Sequence, residues 1–282
     1  MSTASSFRRQ PVYYLTRAGA QSPDINGQTG VRDRHFEQSI VDIPRQLLKR
    51  PDAILFVSGD WEEPAFTISS FPVPAARRSP LDAHPQHNEA DRAPLSRRVR
   101  ELLDCAALPT NEASVHRIDG NALGALTSMY PDTNVPVVRL SLRASLDPAI
   151  HWAAGHALAR LRDENVLIIG CSSRDHEQNW KRQAATRPSA EFDLWLRRAL
   201  LEEEPSRRIM ALLNWESAPA AHIVHPRGNS LMPLLFIAGT AGNDPAICIA
   251  DRGRRWLSSP SSYRFGQVIE KSDMKRMWPR LQ

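Results

Sequence analysis

Residues 53–62 read AILFVSGDWE, a continuous apolar run from Ala53 to Val57 that ends in Ser58-Gly59-Asp60-Trp61-Glu62. A short unbroken apolar run with no helical period predicts a strand covered on both faces. A polar set directly after it then sits at the C-terminal end of a buried strand. In open α/β sheets, ligands bind at that edge.

Working outward, the pattern repeats. Val12–Thr16, Val135–Leu142, Val166–Cys171 and Ala246–Ala250 read as further strands. Residues 35–49, Leu95–Leu103, Asp147–Asp163 with Pro148 near its start, Ala190–Glu204 and Leu231–Ala241 read as helices. Strands alternating with helices predict one α/β domain with a mainly parallel or mixed sheet flanked by helices. Residues 1–10 are polar and expected to be loose, leaving 11–282 as the domain. Residues 71–94 are rich in Pro, Ala, His, Arg and Asp without hydrophobic period, which predicts a variable loop or lid. Glu202-Glu203-Glu204 reads as a solvated face.

Bulk properties narrow the class. The chain has 282 residues, 41% hydrophobic and 24% charged, enough for one large core. Its net charge of +5 is scattered, with no basic stripe interleaved with aromatics, so nucleic acid is not an expected partner. A small anionic molecule is. Cys105, Cys171 and Cys248 are widely spaced, which points to reduced thiols and a cytoplasmic protein; Cys171 and Cys248 fall in apolar runs and are expected in the core. The N-terminal MSTASSFRRQ carries no apolar segment of a secretory signal, and no apolar run approaches ~20 residues, so no membrane span is expected.

Five stretches carry a resemblance. Ser58-Gly59-Asp60-Trp61-Glu62 resembles the Ser-Ala-His-Trp-Glu strand end of class III extradiol ring-cleavage dioxygenases, in the DOPA-dioxygenase branch. His225-Pro226-Arg227-Gly228-Asn229-Ser230-Leu231-Met232-Pro233-Leu234 resembles that family's His-Pro-Arg-Glu-Glu-His-Leu-Leu-Pro-Leu. Tyr130 to Val138, His151-Trp152 through Gly170, and Ser261 to Gly266 are similar to its later pieces, in the right order. The resemblance spans roughly Pro11 to Gly266 and implies the family's α/β fold. It also implies aromatic ring cleavage, with one divalent iron or zinc held by histidines.

The implied ligands are replaced here. The family's N-terminal histidine falls on Arg17, its second on Asp60 and its third on Ser230, beside Asn229. The histidine of its central acid/base motif falls on Gly120, next to Asp119. A remaining site histidine is matched by His176. Guanidinium has no acceptor and cannot ligate, and Asp60 with His176 falls short of the three protein ligands that iron or zinc needs. No metal cofactor is therefore expected, although His35, His84, His87 and His116 offer other imidazoles.

Without metal the polar set still has chemistry to offer. Asp60 and His176 suit proton exchange, as the expected catalytic pair. Arg17 suits an oxyanion or carboxylate. Asp119, His225, Arg227 and Ser230 are the other expected substrate-binding residues. Each also has a structural reading: an Arg17–Asp60 ion pair, His176 as a hydrogen-bonded remnant, Asp119 as the cap of a helix over 121–129, Ser230 at a helix start with no His–acid signature around it, and His225 with Arg227 shaping a turn. The leading expectation is a metal-independent descendant acting on a phenolic or polyketide-like aromatic by cyclisation, isomerisation or dehydration, in secondary metabolism. A non-catalytic ligand- or partner-binding relative, and a ring-cleaving dioxygenase with an atypical metal site, are the alternatives. Substrate identity and oligomeric state are not legible.

Overall fold

The computed structural model of the chain describes residues 9–16, 41–47, 49–71, 93–113, 126, 129–130, 135–172, 187–249 and 261–267, and the structural statements below concern these. Eight strands form one sheet: β1 (Val12–Thr16), β2 (Ala53–Glu63), β3 (Phe66–Phe71), β4 (Thr110–Ala113), β5 (Val137–Arg143), β6 (Val166–Ser172), β7 (Ala246–Cys248) and β8 (Tyr263–Phe265). Their order is β4-β3-β5-β2-β6-β1-β8-β7. The centre, β5-β2-β6-β1, is parallel. Antiparallel β3 and β8 flank it, so the sheet is mixed.

The central strands are the apolar runs read from the sequence, and they are buried along nearly their whole length. Their alternation splits the core in two. Val12, Leu55, Val138, Leu140 and Ile168 face one cluster, covered by α2 (Ala93–Cys105), α3 (Pro148–Ala157), α4 (Arg187–Leu201), α5 (Pro205–Leu213), α6 (Ala221–Val224) and α7 (Met232–Ala241). Tyr13, Phe56, Val137 and Ile169 face the other, packed against Ile43 of the helical residues 41–46 (α1) and against Leu126 and Met129.

Several expectations are corrected at their edges. Gln10, expected in a loose N-terminal segment, is buried; its side chain donates to the Lys49 carbonyl at 3.0 Å, and Arg9 pairs with Asp163 at 2.8 Å, while residues 1–8 lie outside the described ones. The helix expected over 147–163 ends as α at Ala157 and tightens into a 3₁₀ turn, Leu158–Arg162. Helix α4 stops at Leu201 because Glu204 precedes Pro205, which disfavours helical backbone. Cys171 is buried, but Cys248 is only half-buried, because it lies on the edge strand β7. In the expected loop, Phe71 closes β3 and Ala93 opens α2; residues 72–92 lie outside the described ones.

Helix α7 is buried at every position. Its crossing with α3 is so close that neither side tolerates a Cβ. One added at Gly155 would lie 1.9 Å from the Phe236 carbonyl oxygen, and one at Gly239 would lie 2.1 Å from that of Trp152. Backbone therefore meets backbone. Gly155→Ala and Gly239→Ala are each expected to cost about 3 kcal/mol or more of unfolding free energy, above the ordinary range for one extra methyl, because the obstacle is main chain. Chemical denaturation measures it; a loss under about 1 kcal/mol would show that the helices can part.

His151 ties the first turn of α3 to the end of β5. It is buried, its Nδ1 lies 2.7 Å from the Asp147 carbonyl oxygen, and its Nε2 accepts from the Arg143 amide at 3.1 Å. Both bonds hold only in the neutral ring with its proton on Nδ1. Burial lowers its pKa below the usual 6.5, against an opposing pull from the Asp147 carbonyl. As the pH drops below about 6.5 the unfolded chain takes up a proton that the folded chain refuses. Stability is thus expected to fall on acidification from pH 7 to 5, by at most about 1.4 kcal/mol per unit from this residue. A His151 ring resonance titrating at or above pH 6.5 in the folded protein would contradict this.

Candidate functional site

The site begins with an irregularity in β2. Its pairing with β5 runs regularly to Val57↔Leu140 and resumes at Glu62↔Leu142, with a register shift between. Its pairing with β6 continues to Ser58↔Cys171. Residues 58–61 therefore leave β5, with Ser58 still paired to β6. Asp60 sits inside β2, on this bulge, and not beyond the strand end as the sequence suggests. Bulges of this kind re-aim side chains beside functional sites.

Asp60 is re-aimed at a buried cation. The Ser58 hydroxyl donates to Asp60 Oδ1. Arg139 Nη2 donates to Ser58 Oγ at 3.0 Å and lies 3.3 and 3.4 Å from the two Asp60 carboxylate oxygens. The Arg139 side chain is 1% exposed and that of Asp60 10%. Arg139 stands in register with Phe56 of β2 and Ser69 of β3, so it rises from the middle of the sheet. Its guanidinium lies 5.1 Å from the ring centre of Trp61, within cation–π range. Trp61 Nε1 in turn donates to Glu63 at 2.8 Å. Among the described residues the cation paired with Asp60 is Arg139, which the sequence reading passes over. The available signal was a charged residue inside the apolar run VPVVRLSL.

The second frame, residues 225–231, packs against the same strand. Asn229 Nδ2 donates to the Gly59 carbonyl at 3.2 Å, and a Cβ at Gly59 would lie 3.0 Å from the Asn229 carbonyl oxygen. Any larger residue at 59 would require the Asn229 main chain to give by a few tenths of an ångström. Tyr14 of β1 reaches the Ser230 carbonyl at 3.4 Å. His225 Nδ1 and Ser230 Oγ are 2.7 Å apart, and both residues are buried. The His225 ring packs 4.8 Å from that of Phe192 and 6.3 Å from that of Trp215. Ser230 therefore does have a histidine partner, five residues earlier, which the sequence reading did not anticipate. Arg227 is exposed and joined to Glu62 at 2.8 Å, pinning the turn to β2.

The two frames thus meet at the bulge of β2, each polar group with its own partner. Arg17, Asp119 and His176 lie outside the described residues. The strands leading toward Arg17 and His176 are described: β1 and β6 pair through Thr16↔Ser172, next to the Ser58↔Cys171 pair of β6 and β2. β1 and β6 thus end beside the point where β2 enters its bulge.

The donor set at positions 60 and 230 does not fit a divalent metal. Both Asp60 oxygens face a guanidinium that cannot lose its charge. The Ser230 hydroxyl is a poor ligand already engaged by His225. A dication about 4 Å from that guanidinium would meet roughly 8 kcal/mol of repulsion at an effective dielectric constant near 20.

Comparison with known proteins places this architecture. A 4,5-DOPA dioxygenase extradiol of Beta vulgaris is 31% identical over 230 residues, covering 77% of this chain and 84% of that protein. One from Mirabilis jalapa is 30% identical over 241 residues, covering 80% and 88%. The crystal structure of an uncharacterised Escherichia coli K12 protein matches with a TM-score of 0.69 over 92% of this chain and all of that one; at 24% identity this likeness speaks for the fold. Residues 22–266 match the family described as the catalytic LigB subunit of aromatic ring-opening dioxygenase, and the chain belongs to that family.

Proposed function

We propose that this chain is a metal-independent member of the extradiol dioxygenase family that performs proton-transfer chemistry on a small phenolic or polyketide-like aromatic. The observation that carries this reading is the state of position 60. Where the family resemblance implies a neutral metal-bound imidazole, a carboxylate is held by Ser58 and Arg139. In this reading Asp60 takes a proton from a phenol or an acidic carbon, and His176 returns one to another atom of the ring or side chain. Arg17 holds the developing oxyanion. Cyclisation, isomerisation and dehydration all fit, since each moves protons without consuming oxygen. Asp119, His225, Arg227 and Ser230 would complete the pocket wall, His225 and Ser230 from behind.

A second reading has an observation of its own. His225, Ser230 and Arg139 are almost wholly buried among their partners, as in a pocket closed by its own side chains. A non-catalytic relative that binds a ligand or a protein would look this way. Ring cleavage, which the names of the relatives describe, would need a metal at a site whose described donors are turned to other partners.

Two measurements separate the proposal from ring cleavage. Purified protein is expected to carry well under one equivalent of iron or zinc. It is also expected to consume no oxygen with catechols, including L-DOPA, when ferrous iron is supplied. Stoichiometric metal with catechol-dependent oxygen uptake would sink the proposal in favour of ring cleavage.

The Asp60–Arg139 pair itself can be tested by unfolding. Arg139→Met, which strands a largely buried carboxylate, is expected to cost about 3 kcal/mol or more. The double variant Asp60→Leu/Arg139→Met is expected to recover part of that loss, with a coupling of about 1–3 kcal/mol. Strict additivity of the two single variants would mean that the pair contributes nothing as a pair.

A further inference from the structure

We infer that Arg139 is itself the element that bars a divalent metal from this site, standing as its fixed cation, so that restoring ligands at positions 60 and 230 would not by itself reopen it. This rests on the metal-independent reading above and goes further, since it assigns the exclusion to a residue of β5, an element that carries neither ligand position.

The argument is geometric. Arg139 reaches the bulge from β5, with β2 on one side and β3 on the other. One nitrogen, Nη2, contacts Ser58 and both oxygens of Asp60. Trp61 lies against the guanidinium, and the side chain is 1% exposed, so it has no free path out to solvent. Guanidinium offers five donors and no acceptor, and it cannot be neutralised at working pH. Any ion bound by the side chain of residue 60 would therefore sit beside a positive charge that can neither ligate it nor leave. Missing imidazoles alone would give a weak site; Arg139 makes it a closed one.

The test separates charge from ligand supply. Asp60→His and Ser230→His are introduced together, once with Arg139 retained and once with Arg139→Gln, which keeps hydrogen-bonding capacity and drops the charge. A third version carries Arg139→Lys. Zn²⁺ and Co²⁺ binding are followed by calorimetry and by Co²⁺ absorption, and folding by circular dichroism. The expected result is binding at least 100-fold tighter with Gln at 139 than with Arg, and with Lys as poor as Arg. Equal affinity with Arg and Gln would overturn the inference, as would failure of both to bind. If the Gln version folds only when metal is added, recovery of its thermal melt on adding Zn²⁺ counts as binding; no recovery overturns the inference. A stoichiometric metal in the unaltered protein, lost on Asp60→Asn, would sink the metal-independent reading itself. Equal affinities in the histidine-restored variants beside a metal-free parent would sink only the role given to Arg139.

Discussion

A guanidinium in the middle of a sheet must find a carboxylate. Arg139 lies between β2 and β3 in register with Phe56 and Ser69, where its neighbours on the strand are Val138 and Leu140. Left alone there, its charge would cost far more than any packing could return. The bulge at residues 58–61 answers that need, because it lets β2 part from β5 for one turn of chain and swing Asp60 back over Arg139. Trp61 then lies beside the guanidinium, Glu63 takes the Trp61 indole N–H, and Glu62 is free to anchor Arg227. The local shape of the site follows from one ion pair. Its net contribution to stability is modest compared with an apolar pair of the same volume, since two charges must be desolvated. Its contribution to a single defined arrangement is larger.

Much of the fold is legible in the sequence. The four parallel strands announce themselves as apolar runs because both faces are covered, and α7 does so because every side of it is buried. What stays hidden is amphipathic or polar. Strand β3, FTISSF, mixes Thr and Ser into its pattern, and β4, TNEA, is a half-exposed edge strand with no apolar residue but Ala113. Helix α5 was hidden by the Glu-rich approach to Pro205, which reads as the end of one helix and marks the start of another. Nothing local predicts the glycine crossing of α3 and α7 either, since Gly155 and Gly239 are 84 positions apart and look like weak points in their own helices.

The site was legible as positions and illegible as partners. The frames around residues 60 and 230 stand out by their flanking motifs, and they do meet, at the bulge of β2, through Gly59 and Asn229. Their partners lie far away in sequence or run against expectation. Asp60 pairs across 79 positions with Arg139. Ser230 meets His225, which is close in sequence but reads there as a pocket-lining or turn residue and not as a partner of Ser230. A charged residue embedded in an apolar strand is the one sign that was available, because such a residue is tolerated only where something neutralises it.

Asp60 and Arg139 make sense only together. An aspartate at the bulge without Arg139 would be a largely buried anion whose one described cation is gone. An arginine at 139 facing an intact metal site would place a fixed charge beside a dication. Each state alone is costly, and the combination is balanced: a carboxylate and a guanidinium, net neutral, sharing Ser58. The scaffold is indifferent to the exchange, because the parallel strands and the α3–α7 crossing draw their stability from apolar burial elsewhere. That separation lets a family fold be retained while the chemistry at its sheet edge is set by the charges of a few side chains.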